Sequence, residues 1–484
     1  MGERASVVGF RPVDLKPVDV RTVDLRKYGF EVGKRNPSRE LPSADATVEL
    51  AVRASVFIER YLRETNDGVY WDKPGYDDTD LAIYGGAAGI SYFHLKLSQV
   101  TGDERYRDIA LQSARYLAKH WEYVIGHSPR GFIRDEGEGG YYGIAGIGFV
   151  LAEEYRAFHD ETIGDALRAI GDHYVAHALH GEGGAYWTDN ISLMGDGAVI
   201  LFLLELHGIF HDARYLELAV SAGDQLLTWA EDTGDGALDF NSFTKVERLN
   251  EPNFELGAAG AGYVLLSLFE HTGKERYRDA ALGAWRRLEQ LKLPQEKGFL
   301  IPYRFDAQGR PLEEDGRIVY YLGTCHGPAG TARFYYKLYQ VTGDRRYWEQ
   351  VVALADGLEA LGAPERQSAG YWNSYTYCCG PAALLQFYVA LYQADGSSRW
   401  LDLAKRTAET LAGLAEDAGD GAVDWPVAWT RVRPDEFSRR IGYFDGAAGI
   451  ASTLLQYALV QRGAFEWSRL PDDPFPNHFA GTAA

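Results

Sequence analysis

A glycine-bearing tip followed by an apolar segment occurs seven times in this 484-residue chain. A repeat at that scale constrains the architecture more than any single motif. The tips are Tyr84-Gly85-Gly86-Ala87, Tyr142-Gly143-Ile144, Leu193-Met194-Gly195-Asp196, Leu256-Gly257-Ala258, Thr324-Cys325-His326-Gly327, Tyr377-Cys378-Cys379-Gly380 and Asp445-Gly446-Ala447. Their leading glycines lie on average about 60 residues apart, room for two helices and their connections.

The segments behind the tips, such as Ala198-Val199-Ile200-Leu201-Phe202, are apolar nearly all round, which predicts buried helices. Each is followed by a more polar helix with a recurring start: Thr101-Gly102-Asp103-Glu104-Arg105-Tyr106, Thr272-Gly273-Lys274-Glu275-Arg276-Tyr277 and Thr342-Gly343-Asp344-Arg345-Arg346-Tyr347. A capping residue opens that helix, and an aromatic residue a few positions on packs inward. Seven buried and seven surface helices in alternation predict an all-α (α/α)7 toroid of two concentric rings, with every inner-helix start at one end around a shared cavity. Glycine and aromatic turns before the tips, such as Gly183-Gly184-Ala185-Tyr186-Trp187, read either as short strands at the rim or as packing under the loops.

Three regions follow. Residues 1–43 form an extended arm, because Pro12-Val13-Asp14, Pro17-Val18-Asp19 and Thr22-Val23-Asp24 repeat every five residues, a period that suits neither a helix nor a long strand. Residues 44–465 form the toroid, beginning after Ser43 as a helix N-cap, and residues 466–484 form a proline-containing tail. No run of 18 apolar residues occurs and Met1-Gly2-Glu3-Arg4-Ala5-Ser6 lacks a signal-peptide core, so a cytoplasmic location is expected. A formal net charge of −20 argues against nucleic acid or an anionic membrane surface as partner.

Cys325, Cys378 and Cys379 are the only cysteines, an odd number with two neighbours, which is not a secreted disulfide framework. All three stand one or two residues ahead of a repeat glycine in consecutive repeats, so a ring brings them together. Three convergent thiolates are the donor set of a Zn2+ site whose fourth position remains for water or substrate.

With these motifs in place, the chain resembles the lanthionine cyclase (LanC-like) family over roughly residues 44–465, in its seven double-helix repeats, Cys325-His326-Gly327 in the fifth and Cys-x-Gly in the sixth. The resemblance implies a zinc-centred toroid in which a peptide cysteine thiolate adds to a dehydroalanine or dehydrobutyrine and closes a thioether ring. It also implies a dehydrated precursor peptide as partner, with dehydration done by a separate dehydratase or kinase/lyase protein.

The chain departs from that family pattern. The sixth repeat has Cys378-Cys379-Gly380 where the family usually has Cys-His-Gly, which implies a three-thiolate site. Leu256 stands where the family's acid/base histidine is expected, Tyr321 where an arginine is expected, and Ile191 where an aspartate is expected. Protonating the carbon of the enolate still needs an acid. The nearby candidates, in order, are His326, Glu255, Asp189 and Tyr377, while His94, His159 and His271 fall within helical patterns as core or surface residues. For His326, a supporting hydrogen bond beside the metal is an equal reading, whereas for Glu255 and Asp189 a rim carboxylate that solvates or caps a helix is the first reading. Two other readings stand beside the cyclase: a noncatalytic peptide- or partner-binding protein with structural zinc, and a carbohydrate-active (α/α) barrel working with paired carboxylates.

Overall fold

The computed structural model describes residues 29–73, 81–127, 133, 135–240, 250–464 and 466–477. The five-residue repeats of the expected arm lie outside the described residues, but residues 29–41 are seen against the toroid. There Gly33 donates to the Gln367 carbonyl, Asn36 to Glu365 and Arg39 to Glu409.

Seven inner helices, each of 15 residues, span Ala87–Thr101, Ile144–Phe158, Asp196–Phe210, Ala258–Thr272, Pro328–Thr342, Pro381–Asp395 and Ala447–Gln461. Their N-caps are Gly86, Gly143, Gly195, Gly257, Gly327, Gly380 and Gly446, the seven glycines of the repeat. None of these caps has a side-chain oxygen to offer the helix. What glycine provides is space: a Cβ on Gly257 would lie 2.0 Å from the Glu251 carbonyl oxygen, and one on Gly380 2.1 Å from that of Ser374.

Six outer helices follow the first six inner ones: Glu104–His120, Glu161–His177, Ala213–Thr228, Glu275–Leu291, Arg345–Leu361 and Ser398–Leu414. The Thr-Gly-Asp starts divide into two functions. Gly102, Gly273 and Gly343 end inner helices in the left-handed conformation, while Asp103 and Asp344 cap the next helix by accepting from the backbone N–H two residues on. The seventh outer helix is the first in sequence, Ala44–Glu59, capped by Ser43 and packed on the last inner helix, so the two ends of the chain close the ring together.

Consecutive inner helices pack on one another and the seventh packs on the first. The fold is therefore the predicted all-α toroid of seven inner and seven outer helices, with the core between the rings. The glycine and aromatic turns form two-stranded hairpins in five places, and in each the second strand packs on the following outer helix. In repeat six, Gly370-Tyr371 makes only an isolated bridge between Ser368 and Tyr371.

A closed circle of backbone hydrogen bonds joins the seven tips. Tyr84 N–H donates to the Tyr141 carbonyl (3.1 Å), Gly140 to Met194 (2.7 Å), Leu193 to Glu255 (3.1 Å), Glu255 to Cys325 (2.9 Å), Cys325 to Cys378 (3.2 Å), Cys378 to Phe444 (2.8 Å) and Phe444 back to Tyr84 (2.8 Å). Buried backbone polar groups must be paired, and here they are paired between repeats, which fixes each tip against its neighbours. Segment 466–477 crosses the interior of the ring: Tyr92 donates to the Ser468 carbonyl, Tyr263 to Pro471 and Gln340 to Pro474.

Candidate metal centre

The circle of tips sets a register. Two residues ahead of the N-cap glycine stand Tyr84, Tyr141, Leu193, Glu255, Cys325, Cys378 and Phe444, and one residue ahead stand Gly85, Tyr142, Met194, Leu256, His326, Cys379 and Asp445. A cavity of about 550 Å³ opens over this circle, and its floor includes Tyr84, Tyr142, Met194, Glu255, Leu256, Cys325, His326, Cys378 and Cys379. Its walls come from two connections, one carrying Tyr303 and Arg304 and the other Trp429–Val432.

The three cysteine sulfurs converge as predicted. Cys379 Sγ lies 3.5 Å from Cys378 Sγ and 3.8 Å from Cys325 Sγ, and all three lie within 4.8 Å of one another. A disulfide would need about 2.0 Å. Zn–S bonds of about 2.3 Å in a tetrahedron place sulfurs about 3.8 Å apart, so the spacing fits a shared metal. The titration of the thiols fits as well. Burial, with hydrogen bonds that it donates to its two neighbours, pushes Cys325 well above the usual thiol range. Cys378 is pulled down by the hydrogen bond from Cys325, but its contact with Cys379 and burial push it well above that range overall. Cys379, hydrogen-bonded by Cys325 and Cys378, is drawn down to about 6. With no cation the cluster holds one negative charge readily, and three thiolates together need a metal.

Beside the sulfurs, Glu255, Cys325 and His326 bring their ligand atoms within 4.8 Å of one another. Burial, then the neighbouring Cys378 and Glu251, hold the Glu255 carboxyl well above the usual carboxylate range. Burial lowers His326 to about 4, so its ring is neutral. The ring packs edge-on against Tyr303 (4.7 Å between centroids) and Tyr321 (5.4 Å), and its Nδ1 has no hydrogen-bond partner among the described residues.

Two sequence candidates are not brought into the cavity. Asp189 is exposed at positive φ, because the turn at 187–190 is organised by Asp196, whose buried carboxylate accepts from the N–H groups of Trp187, Thr188 and Asn190. Tyr377, one residue ahead of Cys378, turns into the core, where its hydroxyl accepts from Arg333 (2.5 Å) and donates to Gln386 (2.6 Å). Sequence reasoning missed Tyr84, which hydrogen-bonds the Cys378 thiol, and Glu251, which pairs with Arg304 on the cavity wall. The register was the available signal for Tyr84, since it holds the same place in repeat one as Cys325 and Cys378 in theirs.

The lanthionine synthetase C-like family model matches residues 77–469. The chain belongs to that family. The structure of nisin cyclase matches at 14% identity with a TM-score of 0.56, covering 85% of this chain and 93% of that one, and supports the LanC-like fold. A family 76 glycoside hydrolase from a bovine Bacteroides thetaiotaomicron strain aligns over 86% of this chain and 78% of its own at 14% identity, with a TM-score of 0.44. The cellobiose 2-epimerase from Bacillus thermoamylovorans B4167 aligns over 65% and 87%, also at 14% identity, with a TM-score of 0.43. No curated protein matches the chain in sequence. Among the described residues of this LanC-like chain, no helix is long and apolar enough to cross a membrane.

Proposed function

We propose that this LanC-like protein activates a cysteine thiol of a dehydrated peptide for addition to a dehydroamino acid, forming a thioether. The observation that carries the reading is the convergence of Cys325, Cys378 and Cys379 at sulfur separations of 3.5 and 3.8 Å on the floor of the cavity at the inner-helix tips. Cys325, Cys378 and Cys379 would hold zinc, which when bound lets a thiol exist as thiolate at neutral pH.

The chain's own residues supply the rest. Addition of S–H across the C=C bond forms one C–S bond and leaves a carbanion-like enolate that must take up one proton, with no change in mass. Glu255, whose buried carboxyl is held above the usual carboxylate range, is the proton donor in this reading, and His326 is the alternative. This assignment gives Glu255 the role that the resemblance gives to a histidine at the position of Leu256. Tyr84, Tyr142, Tyr303 and Trp429 give the cavity aromatic surface to bind a peptide segment and exclude water.

One observation favours the noncatalytic reading. His326 is buried close to Cys325 with no hydrogen-bond partner for its Nδ1 among the described residues, and a fourth protein ligand there would close the site. Incubation with a peptide carrying one cysteine and one dehydroalanine separates the two readings. Loss of alkylatable thiol at constant mass supports the cyclase, provided that Cys378→Ala abolishes it. A thiol that stays free in the presence of zinc-loaded protein supports the binding role.

A further inference from the structure

The tail segment reaches the ligand loop from beneath. Asp472 is buried in the ring, where its Oδ2 accepts from Arg333 (2.7 Å) and from the Tyr141 hydroxyl (2.8 Å). Arg333, on the fifth inner helix, donates to the Tyr377 hydroxyl and to Gln386 Oε1 (3.1 Å), and Tyr377 also donates to Gln386. Tyr377 immediately precedes Cys378, and its own carbonyl accepts from the Thr324 hydroxyl (3.3 Å), one residue ahead of Cys325. One carboxylate thus ties together a tip residue of repeat two, the inner helix of repeat five and the residue before the cysteine pair of repeat six.

A buried pair of this kind adds little to net stability when it is complete, and removing one partner leaves an uncompensated charge. Its value lies in specifying one arrangement of the groups it joins. Tyr377 is held at both ends, by its hydroxyl in this network and by its carbonyl, which accepts from Thr324, so the start of the Cys378-Cys379 pair is tied to the fifth tip.

We propose that segment 466–477 is a positioning plug, in which Asp472 acts through Arg333 and Tyr377 to hold the Cys378 sulfur in register with Cys325 and Cys379. The proposal adds a positioning role to the metal reading and rests on that reading only for its zinc readout.

The test uses the full chain with Tyr377→Phe, which removes one hydroxyl and keeps the ring, alongside Asp472→Asn and the conservative Asp472→Glu. The direct readout is the iodoacetamide labelling rate of Cys378 in metal-free protein, followed by mass spectrometry. The expected result is labelling about tenfold faster in Tyr377→Phe and Asp472→Asn, with Asp472→Glu closer to wild type. Zinc affinity by chelator competition should fall about 10- to 100-fold in the same two variants, the size expected when a partner of a metal ligand is lost. Labelling at the wild-type rate in folded Tyr377→Phe overturns the proposal, whatever the change in melting temperature. Wild-type protein that binds no zinc counts against the metal reading, and the labelling comparison still decides the plug. If Asp472→Asn does not fold, Tyr377→Phe gives the answer.

Discussion

Glu255 and Cys325 hold the same place in consecutive repeats, two residues ahead of the inner-helix glycine, and the Glu255 N–H donates to the Cys325 carbonyl at 2.9 Å. A carboxyl group thus stands in line with two of the sulfur positions, Cys325 and Cys378, and shares their cavity. This shared register makes Glu255 part of the site, although in sequence it lies 70 residues from the first cysteine.

Removing a sulfur should remove the metal. Each of Cys325→Ser, Cys378→Ser and Cys379→Ser should weaken zinc binding by more than about 100-fold, beyond the loss typical of an outer partner. Equilibrium dialysis against a chelator measures it. A Cys379→Ser protein with wild-type affinity would remove the half-buried sulfur from the ligand set.

The raised Glu255 carboxyl sets a pH dependence for the metal-free protein. Because the folded state keeps the proton after the unfolded chain has lost it, stability falls as pH rises from the ordinary glutamate range near 4.3 towards the folded value. Glu255→Gln has no such charge to bury. It should melt at a higher temperature than wild type at pH 8 and show a smaller difference at pH 4. Equal melting temperatures at both pH values would show that burial costs Glu255 nothing.

His326 works in the opposite sense. Its folded value of about 4 lies below the ordinary histidine range near 6.5, so the stability it provides is present above that range and is lost as pH falls through the interval towards 4. His326→Asn should therefore flatten the loss of melting temperature between pH 6.5 and pH 4. Imidazole carbon shifts in labelled protein should report a neutral ring at pH 6, and a protonated ring there would contradict the burial argument.

Gly323 tests whether the circle of tips positions the sulfurs. A Cβ there would lie 1.9 Å from the Cys378 carbonyl oxygen, the acceptor for the Cys325 N–H. Gly323→Ala should cost at least about 3 kcal/mol, the upper end for overpacking, and weaken zinc binding with it. Gly208, inside the third inner helix, has nothing within 4 Å of a built Cβ. Gly208→Ala should stabilise the protein by about 0.5–1 kcal/mol. Denaturant unfolding of both variants checks the pair.

The toroid was legible in the sequence because its parts carry strong local signals. The seven glycines became the seven inner N-caps, and Asp103, Asp160, Asp212 and Asp344 cap outer helices by one shared contact. The sulfur cluster was legible for the same reason, as an offset from those glycines. Proton donors were harder to place, because the two residues ahead of Gly380 reach the cavity while the residue before them turns away. Cys378 faces the cavity, and Tyr377 beside it faces the core. Asp189 had the right chemistry in a turn that Asp196 holds the other way. The tail plug was hidden for a different reason: Asp472 meets Arg333 across 139 residues, and segment 466–477 has no periodicity to announce the contact.

The proposed chemistry depends on a zinc held by three sulfurs with one position open to a thiol. Metal analysis with zinc-edge absorption spectroscopy, on the purified protein alone and with an added thiol, tests it most directly. One zinc per chain with three sulfurs and one light atom is expected, changing to four sulfurs when thiol is present. Zinc already saturated by protein ligands and unmoved by thiol, or a protein prepared without chelator that carries no zinc, would contradict it.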